Sequence, residues 1–290
     1  MKFYRVYVEI TNVCGLSCSF CPTKSLPPKE MDLEFFNSII KQLKNNTKEI
    51  ALHVVGDPLT QSNLREYLDI VGKYKLKALL TTSGYFLKKH NDTALFHRAV
   101  KQINLSLNSF NKNDTSFGFE QYITPILELC QAKLDQKVES FINLRVWNLD
   151  EEESERVFNK ILFDRLSLFF DIELDIEDIY INRPKSIRLA SKIILHFDNY
   201  FEWPSLNNQI YGDGSCQGLS SHIAILASGE VVPCCLDCDG VIALGNLHTD
   251  SLESILKSKR VGDMLEGFRD NKAVEELCQK CSYKSRFDVV

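Results

Sequence analysis

Three cysteines within eight residues, Cys14-Gly-Leu-Ser-Cys18-Ser-Phe-Cys21, follow directly on an apolar run at residues 3–10. Three thiols packed this closely at the end of a strand are read as a metal site, and the rest of the chain has to be arranged around them. A four-iron, four-sulfur cluster takes four cysteine thiolates, so a loop that offers three leaves one iron with an open position, and an open iron can do chemistry. Zinc favours paired Cys-x2-Cys arms brought from two places, whereas these sulfurs come from one loop. An iron-sulfur cluster is therefore expected, with zinc or reactive thiols as the alternative.

The remaining bounds are ordinary. A chain of 290 residues, 44% hydrophobic and 25% charged, can bury a substantial core in one large domain or in a large and a small one. No apolar run reaches the length of a membrane span, and the opening Met1-Lys2-Phe3-Tyr4-Arg5 reads as a mixed strand rather than a signal peptide, so a cytoplasmic protein with no membrane partner is expected. Ten cysteines in a reducing compartment favour metal ligation over disulfides. The net charge of -5 argues against a nucleic-acid partner, which would need clustered Lys and Arg. The most acidic stretch, with Asp150, Glu151, Glu152, Glu153 and Glu155 and then Asp171, Glu173, Asp175, Glu177 and Asp178, reads as a solvated helix start and a charged loop.

Along the chain, strand and helix patterns alternate. Residues 3–10 read as strand, and Asp32 caps a helix whose apolar face is Phe36, Ile39, Ile40 and Leu43. Residues 50–55 read as a buried strand, Leu64, Leu68 and Val71 mark a helix, and residues 78–82 are strand. Then come helix at 93–100, strand at 103–108, helix at 119–133 bent or begun at Pro125, strand at 141–146, helix at 151–163 and strand at 166–172. Beyond Ile179 the rhythm breaks, with one more helix over 182–194 and then the aromatic segment Tyr200-Phe201-Glu202-Trp203-Pro204 as a linker. Six strands separated by helices predict an α/β chain with a parallel sheet, either open and doubly wound or a partial barrel. His53 reads as packed within a strand and Cys130 as a small core residue.

The Cys-x3-Cys-x2-Cys pattern, with Phe20 just before the third cysteine, resembles the radical S-adenosylmethionine (SAM) superfamily. The resemblance implies that Cys14, Cys18 and Cys21 hold a catalytic [4Fe-4S] cluster, that the open iron binds the amino and carboxylate groups of SAM, and that Phe20 lies near its adenine. It implies a reductant such as flavodoxin or ferredoxin, whose electron splits SAM into methionine and a 5'-deoxyadenosyl radical that takes hydrogen from a substrate. It also selects a partial (β/α)6 TIM-like barrel, with the radical SAM core at 1–195. Val55-Gly56-Asp57-Pro58 stands where family members carry a Gly-Gly-Glu-Pro turn against the amino group of SAM. Thr82 and Ser106 fall where the ribose or methionyl part is bound, with Asn108 close by, and the planar donor fork of Arg145 is aimed at a carboxylate of SAM or of substrate.

A second cysteine set comprises Cys216, Cys234, Cys278 and Cys281, with intervals of 17, 43 and 2 residues. Apolar runs around Ser228-Gly229 predict a hairpin that brings Cys216 near Cys234, and Cys278-Gln-Lys-Cys281 supplies a second arm. Four thiolates close a site, and structural zinc is a serious rival to iron-sulfur there. The pattern of Cys-x12-Gly-x4-Cys, Leu244-Gly245-Asn246 and Cys-x2-Cys is similar to the auxiliary-cluster extension called SPASM, or twitch in its one-cluster form. The resemblance implies a small cysteine-rich α+β domain at 196–290 with one auxiliary [4Fe-4S] cluster, and leaves Cys235 and Cys238 as spare thiols or an alternate ligand. Relatives with this extension modify mainly peptides or proteins and in fewer cases oxidise small molecules, so a net oxidation or modification of a peptide or protein is expected, with a small-molecule dehydrogenase as the alternative and a metal-stapled binding or redox-sensing protein as the non-enzymatic one.

Overall fold

The computed structural model describes residues 1–22, 25–90, 92–113, 116–149 and 153–287. Asp150, Glu151 and Glu152 of the acidic stretch, and with them the expected helix start at residue 151, lie outside the described residues. The chain runs β1 (Arg5–Val8), α1 (Leu33–Leu43), β2 (Glu49–Ala51), α2 (Leu64–Lys73), β3 (Lys77–Thr82), α3 (Asp92–Leu95), β4 (Val100–Ser106), α4 (Phe119–Asp135), β5 (Phe141–Val146) and α5 (Glu153–Phe170). It continues through α6 (Ile176–Asn182), β6 (Ser186–Ala190), β7 (Ile193–Phe197), β8 (His222–Ile225), β9 (Glu230–Val232), β10 (Gly245–Asn246), α7 (Leu252–Leu256), α8 (Lys259–Arg269) and α9 (Glu276–Gln279).

All described strands join one sheet in the order β10-β9-β8-β1-β2-β3-β4-β5-β7-β6, with β6 and β10 as its edges. From β8 through β7 the neighbours are parallel, and the antiparallel pairs sit at the two ends. This is the expected partial barrel with a cysteine-rich extension. The extension shares the sheet, because β8 pairs with β1 in parallel register from Arg5 opposite His222 to Val8 opposite Ile225. The expected boundary at residue 195 falls inside β7.

Local chemistry accounts for the elements. Asp32 caps α1, its carboxylate accepting from the Phe35 N–H at 2.8 Å, and Phe36, Ile39, Ile40 and Leu43 are all buried. Pro125 lies inside α4, which begins at Phe119 and runs through it rather than starting there. The Ser228-Gly229 hairpin forms as predicted, with Gly229 at φ +90°, where a side chain would be strained. Cys130 is buried in the core.

Three expected elements differ. The helix predicted over 93–100 shrinks to α3, because β4 already begins at Val100. The strand predicted over 166–172 is the second half of α5: Phe158, Leu162, Phe163 and Leu166 are buried at helical spacing, and Leu168, which a strand of that register would bury, is 79% exposed. The helix predicted over 182–194 is instead the β6–β7 hairpin. Arg183, at φ +44°, ends α6, Lys192, at φ +57°, makes the turn, and Ile193, Leu195 and Phe197 are buried with period two. The sixth parallel strand of the core is therefore β7, paired with β5. Glu155, expected to be solvated, is buried and ion-paired with Lys112, and its carboxylate accepts from Asn111 and Asn148 at 2.6 Å each.

Candidate active site

The sheet has an apolar face toward the helices and a polar face toward the barrel interior. Ile103, Leu105, Ile142 and Leu144 are fully buried on the outer row, while Asn104, Ser106 and Arg145 alternate with them on the inner one. Register aligns the inner row: Thr81 stands opposite Asn104, and Ser106, Arg145 and His196 stand side by side. These positions lie toward the carboxyl ends of the strands, where barrels of this kind place their chemistry.

The cysteine loop leaves β1 and is closed at its neck by Asn12, whose amide donates to the Pro27 carbonyl at 2.9 Å and accepts from the Lys29 N–H at 2.7 Å. Gly56 presses on this neck, since a Cβ there would stand 1.9 Å from the Thr11 carbonyl oxygen. The Asp57 N–H donates to the Val13 carbonyl at 3.0 Å, tying the Gly56-Asp57-Pro58 turn to the same neck. The Asp57 carboxylate is buried and accepts from the Leu59 N–H at 3.0 Å, the Thr82 hydroxyl at 2.9 Å, and the Ser83 N–H and hydroxyl at 2.9 and 2.8 Å. Thr82, expected at SAM, thus spends its hydroxyl on Asp57, and Thr81 is the β3 threonine on the cavity wall. Its position follows from parity, because Thr82 shares the outer row with Ala78 and Leu80.

Two side chains were not anticipated. The Glu9 carboxylate accepts from the Val55 N–H at 3.1 Å and the Ala227 N–H at 3.2 Å, joining the loops after β2 and β8 to the end of β1. Asn113 accepts from the Ser17 N–H at 2.9 Å and donates to Cys18 Sγ at 2.9 Å. The Cys18 thiol is drawn down to about 6, chiefly by its hydrogen bond with Cys21, against the upward push of burial and with help from Asn113 and Ser109. A thiol held near its thiolate form suits a metal ligand, so the loop fits the expected cluster. Nothing in the sequence spacing pairs Asn113 with Cys18, 95 residues away.

Behind the loop lies a cavity of about 480 Å³, walled at one end by Phe20, Ser106 and Asn108 and at the other by Cys216, Cys234, Cys278 and Cys281. The second cysteine set is therefore assembled on the same cavity as the strand ends. Burial raises all four of its thiols, and neighbouring cysteines add to the rise at Cys234, Cys278 and Cys281, so a metal bound here has to displace their protons. Four cysteines on one cavity match the ligand count of a closed site. Among the described residues no three His, Cys, Asp or Glu side chains already stand around one ion position. Cys235 also lines the cavity, bonded to Tyr7, whereas Cys238 packs with Val54, Ala224, Leu226 and Val232.

Arg145 lies in the cavity wall with its guanidinium 4.9 Å from the Trp147 ring centroid. Burial brings it down to about 10, so it stays charged at neutral pH. Among the described residues it has no carboxylate within ion-pair distance. Burial, reinforced by Arg145 and Arg5, drops His53 to about 3, and burial with Arg5 drops His222 to about 4, so both are neutral. His53, expected to be packed, meets Tyr7 edge-on at 5.6 Å, and its Nδ1 has no hydrogen-bond partner among the described residues.

The aromatic linker closes the cavity. The Trp203 indole N–H donates to the Phe20 carbonyl at 3.1 Å, Phe20 stacks on Tyr200 at 5.1 Å, and Asn108 donates to the Tyr200 hydroxyl at 2.9 Å. On its other side Phe201 meets Tyr283 at 5.0 Å, in the short 3₁₀ turn Ser282–Arg286 that follows Cys281.

A barrel that sets a three-cysteine loop above its strand ends, and a four-cysteine site across the cavity, defines an iron-sulfur protein of the radical SAM class. The model of the radical SAM superfamily matches residues 8–146, and that of the iron-sulfur cluster-binding SPASM domain matches residues 216–282. The chain belongs to the radical SAM superfamily and carries a C-terminal SPASM domain. The first domain implies SAM and a [4Fe-4S] cluster, and the second implies further iron-sulfur binding. The chain is similar to GTP 3',8-cyclase of Synechocystis sp., 31% identical over 115 residues, which are 38% of this chain and 35% of that protein. It thus aligns with little more than a third of that relative's length. Its fold is similar to that of BtrN in an open conformation, with a TM-score of 0.59 at 14% identity over 100% of this chain and 99% of that one. It is also similar to SuiB of Streptococcus suis bound to precursor peptide SuiA, with a TM-score of 0.57 at 13% identity over 99% of this chain and 73% of that one.

Proposed function

We propose that this protein cleaves SAM reductively to a 5'-deoxyadenosyl radical, which takes a hydrogen atom from a small organic anion in the cavity, and that the reaction is a net oxidation. The observation that carries this reading is the single cavity shared by Phe20, Ser106 and Asn108 on one side and the second cysteine set on the other. Cys14, Cys18 and Cys21 would hold the SAM-binding cluster, and Cys216, Cys234, Cys278 and Cys281 the auxiliary one. With all four ligands supplied by these cysteines, such a cluster would supply electron acceptance rather than substrate binding. The Gly56-Asp57-Pro58 backbone and Ser106 would orient SAM, and the aromatic linker would exclude water from the radical. Because Tyr200 to Pro204 and the Ser282–Arg286 turn wall the cavity, a compact molecule suits it better than a peptide chain. Residues 1–197 would form the SAM-binding unit and the residues from β8 onward the auxiliary unit.

Arg145 supports an anionic substrate. A buried guanidinium that lies against the Trp147 ring and, among the described residues, has no carboxylate within ion-pair distance is costly unless a carboxylate or phosphate completes it. Losing one such charge-assisted contact costs about 1.5–3 kcal/mol, so Arg145→Met lowers kcat/KM for the substrate by roughly 10- to 100-fold. Cleavage of SAM without substrate stays within about threefold of wild type if that contact is to substrate and not to SAM.

The test is to assay 5'-deoxyadenosine formation by the reduced protein with small carboxylates and phosphates against their neutral amides and alcohols. A substrate should raise the yield and lose two hydrogens per SAM cleaved. A mass-neutral product with SAM regenerated, or stimulation by the neutral compounds alone, would overturn the reading.

A further inference from the structure

Lys284 is 4% exposed, in the turn that follows Cys281. Lysine is rarely buried so completely without a carboxylate partner. Its ammonium donates to the carbonyl of Cys278 at 2.7 Å and to that of Cys281 at 2.9 Å, gripping the Cys-x2-Cys loop at both cysteines. Its stem lies against Gly214, where an added Cβ would stand 3.1 Å from Lys284 Cε, so the same side chain also touches the backbone two residues before Cys216. Both acceptors are neutral, and among the described residues no carboxylate pairs with it. Carbonyls satisfy the donors of a buried ammonium without neutralising its charge. The four thiols lie on the cavity side, where a bound cluster would supply the compensating anion.

We propose that Lys284 is the positioning residue of the auxiliary site: it holds the Cys278–Cys281 loop and raises the reduction potential of the cluster bound there. This rests on reading Cys216, Cys234, Cys278 and Cys281 as that cluster's ligands. A cluster with four thiolates carries net negative charge that grows by one on reduction, so a fixed positive charge in a low-dielectric wall favours the reduced form. Arg5 and Arg145 face the same cavity, but Arg5 is already paired with Glu49 at 2.9 Å and Arg145 lies against Trp147. Lys284 is the cation bonded to the ligand loop itself.

The test is a redox titration of the anaerobically reconstituted protein followed by electron paramagnetic resonance, comparing wild type with Lys284→Met, Lys284→Gln and Lys284→Arg. Iron and acid-labile sulfide are counted for each. With Met or Gln, the reduced-to-oxidised ratio of the auxiliary cluster at a fixed potential should fall about tenfold, a midpoint about 59 mV lower for one electron. Arg should stay within about threefold of wild type, and the SAM-binding cluster should keep its midpoint throughout. Loss of the auxiliary iron in both neutral variants with retention in Arg would also support the charge role. Met and Gln variants within twofold of wild type, equal shifts at both clusters, or a Gln variant with full iron and a wild-type midpoint beside an iron-poor Met variant would overturn it. Wild-type protein without sulfide at the second site would refute the ligand assignment, and the proposal with it.

Discussion

Protein in which Cys14, Cys18 and Cys21 are all replaced by Ala will hold about four irons and four sulfides after reconstitution, where wild type holds about eight, and will form no 5'-deoxyadenosine. The expectation follows from ligand count. The loop offers three thiolates, so removing them leaves nothing there for a cubane to bind. The other cysteines sit on different elements, and Cys130 is sealed in the core, where burial pushes its thiol up to about 12. The auxiliary cysteines are spared because they come from either side of the β8–β9 hairpin and from α9 and the residues just after it. A double variant, Cys278→Ala with Cys281→Ala, should lose the other half of the iron and retain some cleavage of SAM, provided that it folds. Wild-type rates of SAM cleavage in the triple variant would remove Cys14, Cys18 and Cys21 from the active site altogether.

Gly56→Ala should cost about 3 kcal/mol or more in stability and empty the SAM-binding site while the auxiliary cluster stays. The added Cβ would stand 1.9 Å from Thr11 O, 2.7 Å from Thr11 C and 2.9 Å from Asn12 Cα, all backbone, so no side chain can turn aside to admit it. Thr11 and Asn12 form the neck of the cysteine loop, and relief of the clash has to move either that neck or the Asp57 carboxylate that anchors the end of β3. Gly262→Ala in α8 is the control, because nothing lies within 4 Å of its added Cβ. That change should be neutral, or stabilising by about 0.5–1 kcal/mol. Iron counts and thermal unfolding of the two variants check the contrast. A Gly56→Ala protein with full iron and wild-type SAM cleavage would show that the contact between the turn and the neck is dispensable.

Much of the site could be read from the chain alone because its information is local. Cysteine spacing is a property of a few consecutive residues, and so is the alternation of Asn104, Ser106 and Asn108 with apolar neighbours, which put Ser106 and Asn108 on the cavity wall. The same alternation assigns Thr81 rather than Thr82 to the interior, a sign carried by the sequence but masked by the match of Thr82 to a family position. The α5 error has a different origin. Apolar residues at 166, 168, 170 and 172 alternate by chance on a helix whose buried face is set by Phe158, Leu162, Phe163 and Leu166, and only the neighbours of that helix decide between the two periods.

By itself the sequence determined the two cysteine sets, the alternating strands and helices of the barrel, the Asp32 cap and the Ser228-Gly229 hairpin, each from residues close in the chain. Tertiary structure alone decided that β8 extends the sheet beside β1, that β7 supplies the sixth parallel strand, and that Asn113 reaches Cys18. It also decided that Lys284 meets both Gly214 and the Cys278–Cys281 loop, and that Arg145 lies in the cavity wall against the Trp147 ring. Those outcomes depend on which strand edges pair and which side chains lose water together, and such energies belong to contacts between segments far apart in the chain, which no window of consecutive residues contains.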